Sequence, residues 1–148
     1  MVKTIVYFTR TNTSKRVAEK IAKELNLPIV QVTDDKNWNG LIGYIKAGFY
    51  STVHKSVKIQ VHGTVDEEND IIFIAPLWAG GLAPAALEFL KKVGRDKVHM
   101  VVVSLGSNVK DRVGFKSLYD ITDQAGNEDS VIRSLVSDLQ QMNIPEEG

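Results

Sequence analysis

The sequence predicts a doubly wound α/β domain with a five-stranded parallel sheet, strand order 2-1-3-4-5, and helices on both faces. Three apolar runs, at residues 2–8, 70–75 and 98–103, lack polar alternation, which is typical of strands buried on both faces of a parallel sheet. Amphipathic segments of helical period lie between strand-like runs, and this alternation favours the α/β class. A length of 148 residues predicts one domain, residues 1–148, with a substantial core.

The first part of the chain has the pattern of a βαβ unit. Residues 2–8 form the first strand, residues 15–25 a helix and residues 29–32 a second strand, so the crossover is expected to be right-handed. Asn26 and Pro28 end the helix. The apolar side chains of the helix share one side: Val17, Ala18, Ile21, Ala22 and Leu25.

Two further segments are predicted between residues 36 and 69. Residues 41–53 form a helix, and the alternation of apolar and polar residues at 57–62 indicates an exposed extended segment. His54 and His62 have no Cys or carboxylate partner at ligand spacing, so we interpret both as surface histidines.

The centre of the chain repeats the order of strand, loop and helix. Residues 70–75 form the third strand, and residues 76–83 form a loop. Pro84 is the first residue of the next helix, which ends at Gly94. In the fourth strand, residues 98–103, His99 is predicted to be a packed side chain and not a catalytic one.

The last part of the chain leaves little space between the fourth and fifth strands. Residues 104–108 form a loop, and residues 109–116 have room for only a turn or two of helix before a fifth strand within 117–121. Asp129 or Ser130 caps a final helix, and Pro145 ends the ordered chain. The apolar stripe of that helix is Val131, Ile132, Leu135, Val136, Leu139 and Met142.

The first loop, residues 9–14, joins the first strand to the first helix. A helix N-terminus offers unpaired N–H groups and the positive end of the helix dipole, which together form a ready anion site. Thr and Ser hydroxyls in this loop can cap the helix or donate to phosphate oxygens. Neutral donors suit a phosphate monoester that is held and not hydrolysed. The alternative interpretation is that Asn12, Thr13 or Ser14 only caps the helix.

Two other loops are expected beside the first. The second loop, residues 76–83, follows the third strand, and the third loop, residues 104–108, follows the fourth. In an open α/β sheet a ligand binds at the carboxyl ends of the strands, where the strand order reverses. The three loops therefore predict one ligand site.

The first loop and the residues after it, Lys15-Arg16-Val17-Ala18, resemble the FMN-phosphate loop of the flavodoxin family, which reads Ser/Thr-x-Thr-Gly-Asn-Thr before a similar helix start. Thr9, Thr11 and Ser14 match that pattern. Asn12 stands in place of Gly, and Asn is the residue after Gly that best tolerates a left-handed backbone. Thr13 stands in place of Asn.

The resemblance implies a flavodoxin-like fold and non-covalently bound FMN. It implies that Trp78 stacks on the flavin and that backbone near Ala79-Gly80-Gly81 meets flavin N5 as the ring is reduced. Flavodoxins place a Tyr in the third loop; here Phe115 and Tyr119 are the nearest aromatic residues, so one flavin face is expected to be open. The implied cofactor-binding residues are Thr9, Arg10, Thr11, Asn12, Thr13, Ser14, Pro76, Leu77, Trp78, Ala79, Gly80, Gly81, Ser104, Leu105, Gly106 and Ser107.

The composition and the absence of certain motifs exclude several other functional classes of protein. With no Cys in the chain, disulfides, thiolate nucleophiles and Cys-metal sites are excluded. Eighteen basic and eighteen acidic residues cancel, which does not favour nucleic acid or an anionic membrane as a partner. Neither Gly-x-Gly-x-x-Gly nor Gly-x-x-x-x-Gly-Lys-Ser/Thr is present, and the first and third strands do not end in the acidic residues of a receiver domain. No signal or transmembrane segment is evident, so we expect a cytoplasmic protein.

The leading hypothesis is an FMN-binding, flavodoxin-like electron carrier that needs no catalytic side chain and no metal. One alternative is an FMN-dependent NAD(P)H:quinone-type oxidoreductase, and another is a flavin-free domain that binds a different phosphate. The expected partner is a redox protein or a small-molecule electron acceptor. Whether the chain is a monomer or a homodimer stays open.

Replacing both Thr11 and Ser14 with Ala should weaken FMN binding much more than riboflavin binding. The reason is that the first loop contacts the phosphate, which riboflavin lacks. Titration of both flavins, followed by fluorescence, measures the two affinities. Equal weakening of both flavins would show that the loop is not the phosphate site.

Overall fold

A computed structural model of the chain describes residues 2–9, 12–34, 58–65, 68–78, 81–106 and 112–142. Within these ranges it contains seven strands, three α-helices and one short 3₁₀ helix. In chain order they are β1 (Val2–Tyr7), α1 (Thr13–Leu25), β2 (Ile29–Asp34), β3 (Ile59–His62), β4 (Asp70–Trp78), β5 (Gly81–Leu82), α2 (Pro84–Val93), the 3₁₀ helix (Arg95–Lys97), β6 (Val98–Ser104), β7 (Ser117–Thr122) and α3 (Glu128–Met142).

The sheet is mostly parallel, but its described part contains seven strands where five were predicted, so the predicted count is wrong and the full order differs from 2-1-3-4-5. The five predicted strands, which are β2, β1, β4, β6 and β7, keep their predicted order relative to one another. Along the described chain the order is β3-β2-β1-β4-β6-β7, and β5 pairs with β4 outside this path. The two additional strands, β3 and β5, are both antiparallel to their neighbours. The remaining contacts, β2 with β1, β1 with β4, β4 with β6 and β6 with β7, are all parallel. Mixed sheets of this kind commonly carry an antiparallel strand at the edge.

Position in the sheet explains the hydrophobic patterns. Strands β1, β4 and β6 have neighbours on both sides and are buried over most of their length, so both faces need apolar side chains. Strand β3 lies at the edge, and its side chains alternate between partly buried and exposed. Its pairing with β2, which places Val61 opposite Val32, gives the predicted extended segment a hydrogen-bonded partner.

The helices form a layer on each face of the sheet. Helices α1 and α3 pack on one face, where Ile21 and Leu135 are fully buried. Helix α2 packs on the other, where Phe89 contacts Phe73 with ring centroids 4.7 Å apart. The predicted helix over residues 41–53, and His54 after it, lie outside the described residues. No helix in the described part of the chain is long and apolar enough to cross a membrane.

The helix ends follow local backbone signals. As predicted, α1 ends before Asn26, whose left-handed backbone (φ 54°) lets its N–H donate to the Ala22 carbonyl at 2.7 Å. Helix α2 begins at Pro84 and ends before Gly94, also as predicted. Helix α3 begins at Glu128, so the prediction that Asp129 or Ser130 caps it is wrong. The carbonyl of Asn127 instead accepts the N–H of Val131 at 2.9 Å.

His99 is a packed strand residue, as the sequence predicted, because only 1% of it is exposed. Its Nδ1 lies 2.6 Å from the Ser117 hydroxyl, and its Nε2 lies 3.8 Å from Oδ2 of Asp70, which also accepts a bond from Lys116 at 2.7 Å. Burial is the main cause that lowers the pKa of His99 below its ordinary value. Burial raises the pKa of Asp70, but the hydrogen bond and charge of Lys116 outweigh it, so this pKa is lowered.

The free energy of unfolding should fall as the pH drops below about 6.5, the pKa of an unperturbed histidine. The unfolded chain then binds a proton that the buried His99 resists, so stability is lost on acidification. Asp70 contributes to the pH dependence of stability in a separate pH range, at and below the ordinary pKa of a carboxyl group. Urea unfolding measured at several pH values between 5 and 8 gives the free energy of unfolding at each pH. This free energy should change less with pH in His99→Asn than in the natural protein, and an equal change in both would contradict the assignment to His99.

Candidate functional site

The loops that follow β1, β4 and β6 lie together at the carboxyl ends of these strands, because the strands are parallel neighbours. We call this side of the sheet the site edge. The turn that follows β7 reaches the same edge, since β7 is parallel to β6. This edge is where ligands bind in open α/β sheets. Arg10, Thr11, Ala79, Gly80 and Ser107 of the predicted site lie outside the described residues.

Asn12 gives the first loop its shape. It is the N-cap residue of α1 and has a left-handed backbone, with φ 67° and ψ 3°. This conformation is the one for which Asn was expected to replace Gly. The Asn12 carbonyl accepts the first helical hydrogen bond, from Arg16 N–H at 3.0 Å, whereas its side chain makes no capping bond. Asn12, one of the three residues considered as the cap of the helix, is therefore its N-cap through the backbone and not through the side chain.

Ser14 is the most informative side chain of this loop. It lies in the first turn of α1, only 1% of it is exposed, and its Oγ has no hydrogen-bond partner among the residues that the structure describes. A buried hydroxyl without a partner costs about 1–3 kcal/mol. Such a group indicates an acceptor that arrives with a ligand, and phosphate oxygens fit a hydroxyl donor at a helix N-terminus.

The electrostatics of α1 are those of an anion site. Its first turn contains no acidic residue, whereas the first turn of α3 contains Glu128 and Asp129. Arg16 donates to Glu128 at 2.7 Å and Lys20 donates to the same carboxylate at 2.5 Å. The hydrogen bond from Arg16 is the main cause that lowers the pKa of Glu128, and burial partly opposes it. These charges bind one another, so the Arg16 and Lys20 side chains are held by Glu128.

The second loop is partly strand, which corrects the prediction. Strand β4 runs on through Pro76, Leu77 and Trp78, and β5 returns antiparallel to it, pairing Gly81 with Trp78 and Leu82 with Leu77. In the extended strand, backbone N–H and C=O groups pair with β5, whereas in a loop they would bond to water.

Trp78, for which the resemblance implies stacking on a flavin, packs against the protein in this structure. Its ring meets Phe8 edge-on, with centroids 5.9 Å apart and planes at 64°. Phe8 directly follows β1 and is buried. This contact fixes the indole beside the first loop, while part of the side chain stays accessible.

The third loop is tied to the turn after β7. The Ser104 carbonyl accepts the N–H of Asp123 at 3.0 Å, and the Leu105 carbonyl accepts that of Gln124 at 2.9 Å. The Gln124 amide fills the space that a Cβ on Gly106 would need. Leu105 has an exposed fraction of 69%, which is high for an apolar residue in a pinned loop.

Neither aromatic residue considered for the third loop lies there. Phe115 precedes β7, at the opposite edge of the sheet, with the Arg95 guanidinium 4.7 Å from its ring centroid. Tyr119 lies within β7 and donates to Asp138 of α3 at 2.6 Å. Burial first, and then this bond, raise the pKa of Tyr119 to about 12. The structure thus uses both residues for packing.

Two residues of the site edge were missed by sequence reasoning: Gln124, against the third loop, and Glu128, against α1. The only local signal was the Asn127-Glu128-Asp129 run, which is typical of a helix start. Its contact with α1, more than one hundred residues earlier, has no sequence signature.

His62 lies beside the Thr33 hydroxyl at 2.6 Å, and the described residues contain no group of three metal-ligating side chains.

Comparison with known proteins places this geometry among flavoproteins by fold. No protein-family model and no curated protein matches the sequence. A flavoprotein from Lactobacillus acidophilus, crystallised in complex with FMN, is similar with a TM-score of 0.60 and 19% identity, covering 87% of this chain and 97% of its own. Provisionally named flavoproteins from Bacteroides eggerthii and Bacteroides uniformis give TM-scores of 0.64 and 0.65 at 14% and 15% identity. They cover 92% and 90% of this chain, and 95% and 97% of their own.

The chain therefore has a fold that is found in flavoproteins. At these identities the likeness is to the fold, and it does not single out the flavodoxin family that the first loop resembles.

Ser14→Ala should raise the stability of the ligand-free protein by about 1 kcal/mol or more, because it removes a buried hydroxyl without a partner. Ser130→Ala is the matched control: Ser130 also lies in the first turn of a helix, but its hydroxyl is exposed and donates to the Asn127 carbonyl at 3.1 Å. The gain in helix propensity is the same in both variants. Urea unfolding without added ligand measures the difference, and a smaller gain for Ser14→Ala than for Ser130→Ala would argue against a vacant donor.

Proposed function

We propose that this chain is an FMN-binding redox protein that acts as an electron carrier. The observation that carries the proposal is the buried Ser14 hydroxyl, which has no partner in the described structure, at the N-terminus of α1. Support comes from the flavoprotein fold and from the FMN complex of the similar Lactobacillus acidophilus protein. Together these observations favour FMN over other phosphate ligands.

The phosphate end of FMN would be held by the first loop. Ser14 supplies a hydroxyl donor, and the first turn of α1 supplies N–H groups and the positive end of the helix dipole. Asn12, with its left-handed backbone, is the N-cap from which the helix begins. Thr9, partly buried and adjacent to that turn, completes the neutral set. Neutral donors bind a phosphate monoester without providing a nucleophile or a base for its hydrolysis.

The ring end would lie between the second and third loops. When bound, FMN supplies the electron transfer itself, while the protein binds and orients it. Trp78 offers an aromatic surface whose orientation is held by Phe8. Gly81, paired with Trp78, allows close approach of backbone. Ser104 and Leu105 border the other side on a loop that two backbone hydrogen bonds hold in place.

A second candidate function is that of an FMN-dependent NAD(P)H:quinone-type oxidoreductase. The observation in its favour is the third loop, where the exposed Leu105 stands in place of an aromatic cover. An uncovered flavin face would admit a small substrate directly. The carrier requires no second binding pocket, and we retain it as the leading proposal.

The proposed setting is the cytoplasm, with a redox protein or a small-molecule acceptor as the partner and with neither nucleic acid nor a membrane involved. The balanced charge of the chain does not favour binding to nucleic acid or to an anionic membrane. A monomer and a homodimer are both compatible with the proposal.

The proposal is tested by adding FMN to the purified protein and following the visible spectrum during stepwise photoreduction. We expect FMN to bind at least about tenfold more tightly than riboflavin, the scale of one charge-assisted contact. Two separate one-electron steps would support the carrier, and a single two-electron step would support the reductase. A protein that binds no flavin but does bind another phosphate ester would overturn both and leave a phosphate-binding domain.

A further inference from the structure

Charged groups join the first two turns of α1 to the first turn of α3. The Glu128 carboxylate accepts bonds from Arg16 Nη2 at 2.7 Å, Arg16 Nε at 3.4 Å and Lys20 Nζ at 2.5 Å. The Glu128 side chain is only 20% exposed. Asp129, which also accepts from Lys20 at 3.0 Å, is 76% exposed, so its ion pair contributes little. Glu128 is therefore the main link between the two helices at this edge.

The residues just before Glu128 hold the third loop. Backbone N–H groups of Asp123 and Gln124 bond the carbonyls of Ser104 and Leu105. The Asn127 side chain fixes the turn to the end of β7, accepting the N–H of Thr122 at 2.9 Å and donating to the Asp120 carbonyl at 3.0 Å. One short segment, residues 122–128, thus contacts the third loop at one end and α1 at the other. We call it the bracket.

We propose that Glu128 is a positioning residue that sets the spacing between the first and third loops, so that one FMN molecule can occupy both. This inference rests on the proposed function. It concerns only a ligand that spans the two loops. Binding at two linked points gains affinity only while the geometry matches the ligand.

Whether FMN affinity rises or falls when the charge of Glu128 is removed distinguishes a positioning role from a direct electrostatic role. Glu128 carries a negative charge near the predicted anion site, so through its field alone it opposes phosphate binding. Removing the charge would then strengthen the binding of FMN and of inorganic phosphate alike. Positioning predicts the opposite for FMN and little change for phosphate.

The test is Glu128→Gln in the full chain, which removes the charge and nearly preserves the volume. Titrations measure the dissociation constants of FMN, riboflavin and inorganic phosphate. We expect FMN to bind more weakly by about fivefold or more, the scale of a lost coupling between neighbouring groups, while riboflavin and phosphate each change by less than about twofold. Asp129→Asn is the matched control, because it removes the same charge one residue away without touching Arg16.

The Arg16→Gln variant gives a second route to the same coupling. It breaks the contact from the other side, and the double variant Arg16→Gln/Glu128→Gln should weaken FMN no more than either single change. Thermal unfolding checks that each variant folds, and Arg16→Gln serves as the test if Glu128→Gln does not.

Three results would overturn the inference: FMN affinity unchanged or increased in Glu128→Gln, phosphate affinity lost in parallel with FMN, or an equal loss in Asp129→Asn. Failure of the proposed function looks different, because the natural protein itself would then bind no FMN. That result would remove the inference together with the function on which it rests.

Discussion

The left-handed backbone at Asn12 is the constraint on which the candidate site depends. Asn12 is the N-cap of α1, with φ at 67°. Most residues avoid this region because Cβ crowds the backbone, at a cost of about 1 kcal/mol, and Asn is among the few that visit it routinely. Two residues after Asn12, Ser14 lies in the first turn of the helix and is buried there.

The charged side chains near the start of α1 are paired with the start of α3. Arg16 and Lys20 follow the first loop closely, and Glu128 binds both of them. Arg16 and Lys20 are partly exposed, so these ion pairs add only modestly to stability. Their main effect is geometric: they join the helix that follows the first loop to the turn that supports the third.

Trp78 shows how strand length alters the site. A loop from Pro76 onward would leave the indole free to fold in either direction. The continuation of β4 and the return of β5 restrict its backbone, and the edge-on contact with Phe8 restricts its ring. Aromatic pairs of this geometry add about 0.5–1.5 kcal/mol beyond their buried area. The residue is thus a packed side chain that still borders the ligand edge.

By itself the sequence determined the buried strands at residues 2–8, 70–75 and 98–103, the limits of α2 and the packed state of His99. These features depend on local hydrophobic pattern, Pro and Gly positions and helix ends, which act within a few residues. Tertiary structure decided the antiparallel strands β3 and β5, the extension of β4 to Trp78 and the contacts of Gln124 and Glu128. Each of these depends on a partner distant in the chain or on a neighbouring strand that completes a hydrogen-bond ladder, and no local pattern encodes which partner will be there.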